Sequence, residues 1–227
     1  MGAGGAMPSS TCTLVSMVLF FGISTAQRRA AVVIDITNEQ YLGPNGTAIW
    51  HKEQVLNNVA WLLGQTADSP KWDAIFDCRN WIYNTEDAAW GPEGWHGGIP
   101  GSEGAKLIPR LAELRDRAAS ITSLVPWRFV GKPTMSCLHD TSMQHALLTL
   151  RVDELYVMGI NTDQCVFMTI VDAWRTQAVR KVILVRDAAT SYYGQEGHDL
   201  GLRMIDRVPN ASVVNTSQLH TLSLPLI

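Results

Sequence analysis

The chain has 227 residues, 46% of them apolar, with a net charge of −3, an ordinary globular composition long enough to bury one substantial core. No Lys/Arg cluster interrupts it, which excludes a nucleic-acid or anionic-membrane surface, since either needs a basic patch. One domain acting on a small molecule is the class that remains.

Residues 1–29 read as a leader, ahead of a domain over 30–227. The segment "CTLVSMVLFFGISTAQRR" holds an uncharged apolar stretch of roughly 14 residues, short of the ~20 that a helix needs to span a bilayer. It ends in Ser-Thr-Ala before Gln27, the form of a signal peptide, although "MGAGGAMPSSTC" ahead of it has no Lys or Arg. The expectation is secretion or residence in the secretory pathway, with no membrane attachment after leader removal; an uncleaved extension on a cytoplasmic protein is the alternative. Cys12 leaves with such a leader, and Cys78, Cys137 and Cys165 remain, an odd number that leaves at least one thiol unpaired. The triplets Asn45-Gly-Thr, Asn210-Ala-Ser and Asn215-Thr-Ser fit a secretory route, but such triplets also arise by chance.

From Ala30 the pattern becomes regular. "AAVVIDI" is a continuous apolar run ending in Asp35, which reads as a strand buried on both faces. After the turn-rich "GPNG", Val55, Val59, Leu62 and Leu63 mark the apolar stripe of a helix over 51–65. "DAIFDCR" is a second strand. The stretch 80–104 is rich in Trp, Gly and Pro, and loops of that length in compact domains are commonly functional. A helix over 105–117, the segment "VPWRFVGKPT", a helix over 142–150 and the strand "ELYVMGI" follow. A helix over 163–177, the strand "KVILVRD", a helix over 198–207 and the strand "ASVVN" complete the chain. Strands that alternate with helices predict a three-layer, doubly wound α/β sandwich, a mainly parallel sheet with helices on both faces.

Such sheets bind ligands beyond the carboxyl ends of their strands, where the strand order reverses. The polar residues at predicted strand ends are Asp35, Asp77, Arg79, Lys132, Asn161 to Cys165, and Asp187. Thr162 and Asp163 are good N-cap residues, and they would set Cys165 in the first turn of the next helix. Unpaired N–H groups and the positive helix end favour a thiolate there, and the same N–H groups can receive the oxyanion of an attacked carbonyl. The alternative for a lone Cys early in a helix is a small buried hydrophobe.

"VVIDITNEQ", "PGSEGAKLIPRL", "VGKPTMS", "MGINTDQCVFMTIVDAWRTQAVRKVILVRDAATS" and "GHDLGLRMI", in this order, resemble the isochorismatase-like cysteine hydrolases, which include nicotinamidases, N-carbamoylsarcosine amidohydrolases and isochorismatases. The resemblance implies a catalytic triad of Asp35, Lys132 and Cys165. Asp35 would take the thiol proton and return it to the leaving amine, and Lys132 would hold both groups and lower the thiol pKa. It also implies a cis peptide at Ile160-Asn161 that turns the loop N–H groups toward an oxyanion, with the Cys165 N–H as the principal donor.

Departures from that pattern shape the remaining expectations. Nicotinamidases hold a divalent metal through Asp-x-His and a further His; here the triplet is Asp77-Cys78-Arg79. Asp77 and His96 alone make a poor site where three protein ligands are usual, so neither metal nor cofactor is expected. Thr37 stands where the family commonly has Gln. Arg79 points to a substrate carboxylate or, alternatively, to an ion pair with Asp35 or Asp77. Trp81, Tyr83, Trp90 and Trp95 wall a pocket for a small planar substrate, or else serve packing or a contact between copies in a homo-oligomer. The leading function is hydrolysis of a small amide, ureide or carbamoyl compound through a thioester at Cys165. The alternatives are isochorismate vinyl-ether hydrolysis, which needs an acid but no nucleophile, and a non-catalytic member of the fold.

Overall fold

The computed structural model describes Met1 and residues 27–43, 49–82 and 98–223. Most of the leader, Asn45, Tyr83, Trp90, Trp95 and His96 lie outside these residues. The elements are β1 (Arg29–Ile34), α1 (Lys52–Leu63), β2 (Ala74–Asn80), α2 (Pro109–Ser120), β3 (Trp127–Lys132), α3 (Met143–Thr149), β4 (Glu154–Ile160), α4 (Phe167–Arg175), β5 (Lys181–Thr190), α5 (Gly194–Ile205) and β6 (Ala211–Val214).

Alternation along each strand divides the apolar residues between two faces. Val32, Ile34, Phe76, Val157 and Leu184 pack with Met143 and Leu147 of α3, Ile170 of α4 and Ile205 of α5. Ala31, Val33, Ile75, Met158 and Ile183 pack with Val55, Val59, Leu62 and Leu63 of α1 and Leu111 of α2. Each fully buried side chain of this size stabilises the fold by roughly 1.5–3 kcal/mol, and burial on both faces explains the unbroken apolar runs of the central strands. The result is the three-layer sandwich, with all pairings parallel and the order β3-β2-β1-β4-β5-β6.

That order reverses between β1 and β4, and the crevice beyond their carboxyl ends is the natural site. The two strands come close there. Gly159 has φ 118°, and a Cβ on it would lie 2.2 Å from the Ile34 carbonyl oxygen, so only glycine fits.

β4 coincides with the predicted "ELYVMGI", whereas other boundaries move. Arg28 and Arg29 are already docked: their N–H groups donate to Asp153 at 3.0 Å and Asp73 at 2.8 Å. Asp187 is no strand-end residue, because β5 runs on to Thr190. Its carboxylate accepts from the N–H and hydroxyl of Thr216 at 2.8 and 2.6 Å, so it anchors the 3₁₀ turn Thr216–Ser223.

Candidate active site

Three strand ends meet in the crevice. Asp35 follows β1 in left-handed backbone, φ 57°, and its N–H is held by the Cys78 carbonyl of β2 at 2.9 Å. Lys132, the last residue of β3, is fully buried. Its Nζ lies 2.8 Å from Asp35 Oδ2 and 3.5 Å from Cys165 Sγ. It also donates to the side-chain oxygen of Asn80 and, at 3.3 Å, to the Thr134 carbonyl. A buried ammonium is tolerated only when paired and hydrogen-bonded in this way.

The carboxylate is held asymmetrically. Oδ1 accepts the Asn80 N–H at 2.9 Å. Oδ2 faces the ammonium at 2.8 Å but accepts no well-directed hydrogen bond from it. Asp35 Oδ2 and Cys165 Sγ thus face the same ammonium, which sets a carboxylate beside the thiol.

The nucleophile turn differs from the expected helix start. Thr162–Val166 form a π-helical turn, and α4 begins only at Phe167. Thr162 and Asp163 do not cap it: the Thr162 hydroxyl donates to the Thr190 carbonyl at 3.0 Å, and Asp163 accepts from Ser191 at 2.8 Å. Both side chains tie the turn to the end of β5 instead. The N–H groups of Gln164 and Val166 close on the Asn161 carbonyl at 3.1 and 3.0 Å. The Ile160-Asn161 peptide is cis. Asn161 accepts the Tyr192 N–H at 2.9 Å and donates to Gln164 at 3.0 Å. From beneath, α5 presses on the turn at Gly201, where a Cβ would lie 2.6 Å from the Thr162 carbonyl carbon.

Electrostatics correct the expected ionisation. Burial pushes the Cys165 thiol up, Lys132 pulls it down and Asp35 pushes it up again, to about 12. Burial and the acid's charge therefore favour the neutral thiol; the lysine is legible in sequence, whereas burial and the acid's opposing charge are not. For Lys132, burial alone would lower the pKa, but Asp35 and Cys165 together outweigh it and the ammonium is held above its ordinary range. Burial, then Asp35 and Cys165, raise the Tyr192 phenol. That side chain thus shares the site, and its hydroxyl donates to the Gln40 carbonyl at 2.8 Å.

Cys78 and Cys137 form a disulfide. It joins β2 to the loop after Lys132, where the Cys137 N–H donates to Thr169 of α4 at 3.0 Å. Cys165 is the free cysteine among the described residues.

Arg79 adopts the ion-pair alternative, with Nε 3.0 Å from Asp77 Oδ1. It donates to the Ala105 carbonyl at 2.8 Å and lies over the Phe129 ring. Burial pushes Asp77 up to about 6 against the pull of Arg79. Because a guanidinium already faces Asp77, the described residues do not fit a metal ion, and among them no group of three His, Cys, Asp or Glu converges. Trp81 stacks edge-on against Phe129, over Gly131. A groove of about 640 Å³ lined by Leu148, Arg151, Trp174 and Asn210 lies at the opposite, amino end of the strands, away from this chemistry.

Sequence reasoning missed Asn80 and Tyr192. Asn80 is the last residue of β2, one step beyond the strand-end pair Asp77 and Arg79. Its register opposite Lys132 is the signal that could have found it.

The Isochorismatase domain model matches residues 29–218. Solved structures that share the fold include three amide-hydrolase structures. The nicotinamidase PncA from Bacillus subtilis is 22% identical, with a TM-score of 0.66, covering 83% of this chain and 100% of its own. The pyrazinamidase/nicotinamidase from Streptococcus mutans is 24% identical at 0.62, covering 82% and 99%. N-carbamoylsarcosine amidase from Thermoplasma acidophilum is 19% identical at 0.60, covering 84% and 97%. Among curated proteins no sequence matches.

Proposed function

Because this chain belongs to the isochorismatase family, we propose that it hydrolyses a small amide, ureide or carbamoyl compound through a thioester at Cys165. The observation that carries this reading is the buried contact of Lys132 Nζ with both Asp35, at 2.8 Å, and Cys165, at 3.5 Å. As sulfur attacks the carbonyl carbon, the thiol proton passes to Asp35, so no free thiolate has to form in the apolar site. The Lys132 charge stabilises the negative charge that develops on sulfur. The carbonyl oxygen becomes an oxyanion received by the Cys165 N–H. When the C–N bond breaks, Asp35 gives the proton to the leaving nitrogen. Water then attacks the thioester, Asp35 takes its proton, and breakage of the C–S bond returns that proton to sulfur. Neither metal nor cofactor enters these steps.

The structural relatives are a nicotinamidase, a pyrazinamidase/nicotinamidase and an N-carbamoylsarcosine amidase, which supports the small amide and carbamoyl class. With Arg79 paired to Asp77, a substrate carboxylate would have to compete with a partner already in place, so the substrate class is set by the reacting carbonyl. The test is steady-state hydrolysis of a panel of small amides, ureides, carbamoyl compounds and isochorismate. Turnover of the C–N substrates that disappears in Cys165→Ala supports the reading. Turnover of isochorismate alone, undiminished in that variant, would replace it.

We also propose that residues 1–29 contain a secretory leader removed before Gln27. The family match begins at residue 29 and Arg28 is already docked, so that cleavage leaves the domain intact. A buried disulfide suits an oxidising compartment.

A further inference from the structure

Two Asn-x-Ser triplets bracket one strand: Asn210 immediately precedes β6 and Asn215 immediately follows it. Among the described residues β6 pairs with β5 alone, so its outer edge has no strand partner there, beside an exposed Val213. Edges of this kind template strand addition by another copy unless charge, proline or a covering element blunts them. The strand itself, "ASVV", has neither charge nor proline. Both asparagines are exposed. Five residues of extended chain separate them by roughly 16 Å, room for two branched sugars side by side.

We propose that Asn210 and Asn215 are N-glycosylated and that the two glycans screen the β6 edge. The proposal rests on the secretory reading above, and the disulfide between the buried Cys78 and Cys137 supports it independently of the triplets. The co-reactant is a lipid diphosphate-linked oligosaccharide. The bond from its first sugar carbon to the diphosphate oxygen breaks, a bond from that carbon to the asparagine Nδ2 forms, Nδ2 loses a proton and the lipid diphosphate leaves. The serine two residues on is required by the transferase on the unfolded chain; the fold must supply only the exposed asparagine. With β6 screened, association between copies is confined to other surfaces, such as the β3 edge with its exposed Phe129.

The test is secretion of the full chain from a eukaryotic host, followed by enzymatic release of N-glycans in heavy-oxygen water and peptide mapping. Labelled aspartate is expected at positions 210 and 215. Asn210 has φ 62°, which glutamine tolerates poorly, so the variants of choice change the serines. Ser212 Oγ is shielded without a hydrogen-bond partner among the described residues and Ser217 is exposed, so Ser212→Ala and Ser217→Ala should each remove one glycan without loss of turnover. The double variant should self-associate more than the parent in sedimentation. Secreted protein with its disulfide formed but both asparagines unlabelled would overturn this proposal alone. A chain retained in the cytosol with Cys78 and Cys137 reduced would overturn the secretory reading as well. Glycans present but a double variant that sediments like the parent would overturn the screening role.

Discussion

Asp35→Asn should stop turnover and yet make Cys165 easier to alkylate. The contacts of Lys132 with Asp35 at 2.8 Å and with Cys165 at 3.5 Å place the carboxylate oxygen and the sulfur no more than about 6 Å apart. At that distance two unit charges repel by about 2.8 kcal/mol at an effective dielectric constant of about 20, equivalent to about two pKa units. The sign follows from the charge: a carboxylate beside a thiol disfavours the thiolate, so neutralising it lowers the thiol pKa from about 12. The thiolate fraction at pH 8 should rise about 100-fold, and iodoacetamide labelling with it. Asparagine is close in shape to aspartate and tolerates the left-handed backbone at this position, φ 57°, so the variant should fold. Labelling is followed by intact mass against time, with circular dichroism as the check on folding. A folded variant that labels at the parent rate or more slowly would refute the opposition between acid and thiol on which the proton transfer rests.

Asn80→Leu removes the side-chain acceptor of Lys132 while the Asn80 backbone bond to Asp35 remains; kcat should fall about tenfold or more with KM little changed, the loss of one charge-assisted hydrogen bond of roughly 1.5–3 kcal/mol, and Cys165 alkylation should slow. An unchanged kcat would reduce Asn80 to packing. Reduction of Cys78–Cys137, which are 59 residues apart, should cost roughly 4 kcal/mol of stability by loop entropy, read as a lower urea midpoint with reductant; coincident midpoints would contradict this. Gly201→Ala drives a methyl into the nucleophile turn and should cost roughly 1–3 kcal/mol along with activity, whereas an unaltered Tm and kcat would show that α5 does not set the position of that turn.

Where sequence and structure agree, the signal was local. The apolar run that becomes β1 ends in the acid that becomes Asp35 of the site, and "ELYVMGI" is bounded by residues that end β4. Asp35, Lys132 and Cys165 could be placed on one crevice because each follows or ends a strand, and parallel strands all finish on one side of the sheet. What could not be read depends on neighbours distant in sequence. Thr162 and Asp163 have the chemistry of caps, yet they bond to Thr190 and Ser191, residues 28 positions away. The disulfide joins residues 59 apart, and spacing alone does not select a partner. The thiol's resting protonation follows from burial and from Asp35, which outweigh the lysine that the sequence does reveal.

Direct detection of the acyl-enzyme tests the central claim. The protein is mixed with a slowly turned-over small amide, quenched in acid within the first turnovers, and weighed intact before digestion. The account predicts a mass increase equal to the acyl group, located on the Cys165 peptide, absent from Cys165→Ala and removed by hydroxylamine. Full hydrolysis with no adduct at any quench time, and turnover retained by Cys165→Ala, would contradict it.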